Sequence, residues 1–213
     1  MSRNLLRAVT ATAVAATALV LLPLGSASAD PVRTAAADLD GDGRADRVTL
    51  SQVDDQTQSL TVVVGDRTAT ATMQWWAPAT GVQPVRVTDL DRNGRQELIV
   101  LETVGANTDT FSIWEYTTSG SLRRVTRLNG EPVQLYEGGG VAAHSGYECD
   151  DNLAQQRVLV KLDTLRDDNG VTYSGTRTGY RITGGLARVL WTVPISHVSS
   201  DDPVTATDPG TCA

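Results

Sequence analysis

The chain has 213 residues, with 25 acidic against 18 basic side chains, a formal net charge of −7 and a single phenylalanine. That balance argues against nucleic acid or an anionic membrane surface as a direct partner, since both require a basic face to neutralise phosphate. The length suits one domain with a sizeable core.

The N-terminus, "MSRNLLRAVTATAVAATALVLLPLGSASA", carries Arg3 and Arg7, an apolar run from Ala11 to Leu24, and the small residues Ala27-Ser28-Ala29. This pattern predicts a secretory signal peptide over 1–29 with an A-x-A cleavage site. Its removal leaves a single domain over 30–213, with sixteen basic residues against twenty-five acidic ones and a net charge of −9. No later stretch is apolar for long enough to span a bilayer. The expectation is a secreted, extracellular protein without a membrane span.

The stretch "DLDGDGRADRVTL" (Asp38 to Leu50) returns 51 residues later as "DLDRNGRQELIVL" (Asp89 to Leu101). Both share D-L-D-x-[DN]-G-R-x-[DE], and both run into alternating apolar residues, the pattern of a half-buried strand. An extended stretch precedes each loop, "VRTAAA" or "QPVRVT", and two further strand-like runs follow it, giving about four strands per unit. "RVLVKL" (Arg157 to Leu162), aligned on "ELIVL", opens a third copy shifted by 60 residues. The turns "DDNG" and "TGG" then separate its later strands. The units span about 33–83, 84–137 and 138–195, followed by a tail over 196–213.

Carboxylates at alternate positions of a tight loop can converge on one point, and a hard cation the size of calcium takes six to eight oxygen ligands. Gly43 and Gly94 permit the turn that brings the last ligand round. The predicted ligands are Asp38, Asp40, Asp42 and Asp46 with the Arg44 carbonyl, and Asp89, Asp91, Asn93 and Glu97 with the Arg95 carbonyl. Two calcium ions are expected, the first held more tightly because it has four carboxylates against three. These are not EF-hand loops: Thr49 and Val100 stand where the twelfth-position glutamate would be. The third loop, "CDDNLAQQR", has Cys149, Leu153, Gln155 and Arg157 in place of Asp89, Asn93, Arg95 and Glu97, and is expected to bind no metal.

Cys149 and Cys212 form an even pair in an exported chain and predict a disulfide that pins the polar, proline-containing tail. Trp75 and Trp76 are adjacent, so in an extended segment one faces inward and one outward. They are candidates for stacking on a sugar or a partner surface, against the simpler reading that both cap the core. Of the two histidines, His144 lies in "AAHSGYECD" beside Ser145, and His197 opens the tail. Neighbours on a strand point to opposite faces, so no preassembled triad is present. No G-x-S-x-G, H-E-x-x-H or C-x-x-C motif occurs.

The paired "DLDGDGRAD" and "DLDRNGRQE" loops, each followed by strands, resemble the calcium loops of the FG-GAP and VCBS repeat family, the repeat type of integrin alpha-subunit propellers. The resemblance implies an all-β fold of about three four-stranded, blade-like repeats with calcium loops between strands, propeller-like or stacked as small sheets. Three units are fewer than the four or more blades of an ordinary closed propeller. Integrin-like ligand recognition is not carried over; the expected function, read from the chain itself, is a non-enzymatic extracellular binding module for a protein or a cell-envelope glycan. The alternative is an exported hydrolase of unrecognised type, with His144 its candidate residue.

Overall fold

The structure is a computed structural model and describes residues 32–76, 80–151 and 157–213. The predicted leader over 1–29 lies outside these residues, as do Leu153 and Gln155 of the third loop.

The alternating stretches that follow the acidic loops form antiparallel strands. In the first sheet β1 (Val32–Ala37), β2 (Asp46–Asp54), β3 (Thr57–Val64) and β4 (Arg67–Gln74) lie side by side in chain order. Two-residue turns join β2 to β3 and β3 to β4, and Gly65 at the start of the second has the positive φ of +56° that tight hairpins favour. Along β3 the side chains of Gln58, Leu60, Val62 and Val64 are buried while their neighbours are half-exposed, the period-2 pattern of a sheet with one covered face.

The remaining strands are β5 (Arg86–Thr88), β6 (Glu97–Val104), β7 (Thr108–Tyr116), β8 (Leu122–Arg124), β9 (Thr126–Arg127), β10 (Gln134–Gly138), β11 (Ala143–Asp150), β12 (Val158–Arg166), β13 (Tyr173–Thr183) and β14 (Leu186–Val198). They form one ten-stranded sheet, nine of them in the order β5-β6-β7-β10-β11-β12-β13-β14-β9 and the tenth, β8, paired with β7 off this path. The same edge of β7 serves two strands: Trp114–Tyr116 pair with β8, and Thr108–Ser112 pair with β10. The protein is therefore all-β with open sheets, but the second and third units are fused through β10 rather than separate. The seam is narrow, since β10 meets β11 in register only at Gly138 and Ser145.

The first sheet packs against the β5–β8 region with first strand near first strand, β1 by β5, and last near last, β4 by β8. Gln58, wholly buried on β3, crosses this interface and donates from Nε2 to the Leu101 carbonyl on β6 at 2.6 Å. Glu97 to Glu102 are buried on both faces of β6, which is why its sequence reads as a continuous run rather than an alternation. Tyr147 on β11 meets Phe111 on β7 edge-on, so one apolar cluster extends through all three units.

β12 carries a second buried face, Val158, Val160 and Leu162, outside that cluster. The tail crosses the sheet on this side. Arg177 donates to the Val204 and Ala206 carbonyls at 3.0 Å each, and Cys149 N–H donates to Thr211 Oγ1 at 2.8 Å. Two short 3-10 turns, Pro203–Thr205 and Pro209–Cys212, are capped by Asp202 and Asp208. Cys149 and Cys212 are joined by a disulfide across 63 residues. Among the described residues no helix is long and apolar enough to cross a membrane.

Two outcomes follow from this tail. Replacing Cys149 and Cys212 by serine is expected to lower unfolding free energy by about 4 kcal/mol in denaturant titration, the chain-entropy cost of releasing a loop of this length. Gly146→Val is expected to displace the tail, because a Cβ there would sit 1.9 Å from Thr207 Oγ1. Limited proteolysis should then cut within 199–211 while leaving the sheets intact.

Candidate metal centre

Each acidic loop connects the first strand of a unit to its second, and each is anchored by the leucine between its first two aspartates. Leu39 and Leu90 are fully buried, which leaves the flanking carboxylates at the surface of the fold. The two backbones have the same shape: φ is +79° at Gly41 and +56° at its counterpart Arg92, then +81° at Gly43 and +82° at Gly94. Glycine has no steric penalty in this region. Arg92 is held there beside an ion pair with Asp151 at 2.7 Å.

The internal hydrogen bonds repeat as well. Asp38 Oδ2 accepts from Gly43 N–H and Asp89 Oδ2 from Gly94 N–H, both at 2.9 Å. Asp40 and Asp91 accept from the residue two further on, Asp42 or Asn93, at 3.2 Å in each case. Asp42 and Asn93 cap Arg44 N–H and Arg95 N–H in the same way. The last acid reaches back to the anchor: Asp46 Oδ2 accepts from Leu39 N–H at 3.0 Å, and Glu97 Oε2 from Leu90 N–H at 2.7 Å. Asp46 and Glu97 are the first residues of β2 and β6, so the same residue closes the loop and sets the strand register.

Carboxylate oxygens of Asp38, Asp40 and Asp42 lie within 4.8 Å of one another, and so do those of Asp89, Asp91 and Glu97. Both groups can hold a metal ion. Asp46 is not in the first group, whereas the longer side chain of Glu97 brings its counterpart into the second. The second group is also the more buried, with Glu97 only 4% exposed. Burial, reinforced by the charges of Asp91, Asp89 and Glu115, pushes the Glu97 carboxyl up to about 8. Burial likewise raises Asp91, with Asp89 adding to it, and raises Asp46, with Asp40, Asp42 and Asp38 adding to it.

Among the described residues no lysine, arginine or histidine forms an ion pair with any of these seven carboxylates. The donor set is all oxygen, with neither cysteine nor histidine, which suits a hard cation. Such an ion fits by neutralising carboxylates that folding brings together.

Three side chains outside the expected ligand set shape the centre. Gln96 Oε1 accepts from Asp38 N–H, and Gln96 N–H donates to the Asp38 carbonyl, both at 2.7 Å. Arg95 crosses Gly41, donating to the Leu39 carbonyl at 3.2 Å and to the Tyr116 carbonyl at 2.6 Å. Arg157, where the third loop lacks its last acid, donates to the Asp89 carbonyl at 3.1 Å and the Cys212 carbonyl at 3.0 Å. Gln96 occupies a variable position of the motif, opposite Ala45, so no repeat signal marked it. Arg157 was visible only as a lost ligand.

The other candidate residues are dispersed. Trp75 is fully buried and belongs to the core, while Trp76 is 46% exposed and bridges to Thr103 at the edge of β6. His144 stacks edge-on against Tyr173 with ring centroids 4.3 Å apart, and its buried Nε2 has no hydrogen-bond partner. His197 pairs with Asp167 at 2.9 Å on an exposed stretch of β14. Comparison with protein-family models, curated proteins and solved structures finds no match for this chain.

The raised Glu97 carboxyl gives a linkage with a definite sign. Its ordinary value is 4.5 and its folded value about 8, so without a cation the folded state holds the proton more tightly. Stability from this group is complete below 4.5 and is lost as pH rises through about 8. Chelated protein should therefore melt lower at pH 8.5 than at pH 5, and Glu97→Gln should flatten that slope.

Proposed function

We propose that this chain is a secreted calcium-binding repeat protein of the FG-GAP/VCBS type, working as a non-enzymatic extracellular binding module with two structural calcium ions. The observation that carries this reading is the congruence of the two loops. Two segments 51 residues apart adopt the same positive-φ turns, the same five-residue reach from aspartate to glycine, and the same closing bond from an acid to a buried leucine. An acidic turn of no function has no reason to repeat that geometry twice at the entry to a second strand.

In this reading β1–β4, β5–β8 and β11–β14 are three four-stranded repeats, of which the third has exchanged its ion for the Cys149–Cys212 bond. Calcium in each loop offsets the repulsion among the clustered acids and so fixes how one strand enters the next. The binding partner is an extracellular protein or a cell-envelope glycan, for which the half-exposed indole of Trp76 supplies an apolar stacking surface.

Thermal unfolding in calcium, magnesium and chelator tests the metal reading. Binding to the folded state alone adds about 2.7 kcal/mol at a hundredfold excess over the dissociation constant. The expected result is a calcium-selective rise in melting temperature, reduced in Asp42→Ala and reduced again when Asp91→Ala is added. A melting temperature indifferent to every metal would leave the loops as plain acidic turns. A glycan array and a pull-down with Trp76→Ala as control test the binding role, for which loss of capture in that variant is expected.

A further inference from the structure

We propose that the two loops bind calcium cooperatively, with Gln96 and the Arg95 side chain as the positioning groups that carry the coupling from the second loop to the first. The inference rests on the reading of both loops as calcium sites and goes beyond it, since two sites in one protein need not communicate.

The contacts that argue for coupling are specific to this pair. Asp38 is the first acid of its loop, and both of its backbone polar groups are taken by one residue of the other loop: Gln96 accepts from its N–H and donates to its carbonyl. The backbone that sets the direction of the Asp38 carboxylate is therefore held by Gln96, next to Glu97. Arg95 adds a second link, because its guanidinium reaches the Leu39 carbonyl, between Asp38 and Asp40. Its aliphatic stem passes over Gly41, where a Cβ would lie 3.0 Å from Arg95 Cγ. An ion that orders the second loop fixes Gln96 and Arg95, and through them presents Asp38 and Asp40 in the geometry the first ion needs.

The second loop is itself tied to the third unit, through Arg157 to the Asp89 carbonyl and through Arg92 to Asp151. Arg157 shares its donor with Cys212, so this anchor runs to the disulfide. The first loop, anchored in the core by Leu39, receives its polar contacts from another unit through Gln96 and Arg95 of the second. The side chain of Ala45, the counterpart of Gln96, has no polar group with which to make the equivalent of the Gln96 Oε1 contact. The contacts thus form a chain from the stapled third unit to the second loop and on to the first, and the coupling they carry is the same in either direction.

Calorimetric titration of the purified chain with calcium tests this. Asp91→Ala, which disables the second loop, is expected to weaken binding at the first by at least about fivefold, and Asp42→Ala to weaken the second by the same factor, since linkage is reciprocal. In a Gln96→Leu, Arg95→Ala background, which removes the side-chain contacts and leaves the Gln96 N–H bond to the Asp38 carbonyl and every proposed ligand atom in place, both ions should still bind and the coupling should fall below about twofold. Gln96→Glu, which retains an acceptor for Asp38 N–H, should restore part of it. Should Gln96→Leu fail to fold, Arg95→Ala alone is expected to reduce the coupling.

Two ions bound with affinities indifferent to Asp91→Ala and Asp42→Ala would overturn the coupling and leave the calcium reading standing. A wild-type chain that takes up no calcium would overturn both.

Discussion

Like charges crowded into a nine-residue loop repel, and the fold makes that repulsion worse before anything offsets it. At 4 Å, two carboxylates cost about 1 kcal/mol in water and several times more where solvent is partly excluded. Here the last acid of each loop is also the first residue of a strand, so its backbone is fixed beside the other acids and its carboxylate cannot swing away without losing the bond to the buried leucine. Glu97 is the extreme case, nearly buried and facing Asp89 and Asp91. Backbone N–H groups supply part of the compensation, from the two turn glycines and the buried leucines. A divalent cation would supply the rest, and would make the loops that start β2 and β6 rigid.

That constraint propagates through the molecule because successive units touch near their loops. Asp38 is gripped by Gln96, and Asp89 accepts from Arg157, so in each case the carbonyl of the first aspartate receives a donor from the following unit. The third loop has no acid at the equivalent of Glu97. Its arginine there points to the loop before it, while its opening cysteine is bonded to the end of the tail. Two junctions thus carry acidic groups that could hold a metal ion, and the third carries a covalent bond. The tail does more than staple: it lies over the outer face of the sheet on the side of Val158, Val160 and Leu162.

The sheets show the same economy of edges. β7 divides one edge between β8 and β10, which fuses the second and third units where the sequence pattern implied separate four-stranded sheets. The extra strand β10 comes from "QLYEG", which straddles the boundary between the units 84–137 and 138–195 and was not among the strands read for either. Local alternation cannot reveal such a strand, because the edge it completes belongs to residues more than twenty positions earlier.

What the sequence by itself determined was local and periodic. The alternation after each acidic run specified strands, Gly43 and Gly94 specified the turns, the repeat specified two like loops, and the cysteine pair specified a staple. Adjacent Trp75 and Trp76 had to face opposite ways in an extended segment, though not which of them would be buried. Tertiary structure decided everything that depends on residues distant in the chain. It chose Trp75 for the core, tied Gln96 to Asp38 and Arg157 to Asp89, and brought Glu97 but not Asp46 into its acidic group. These choices rest on through-space distances and on burial, which a motif of spaced carboxylates leaves undetermined.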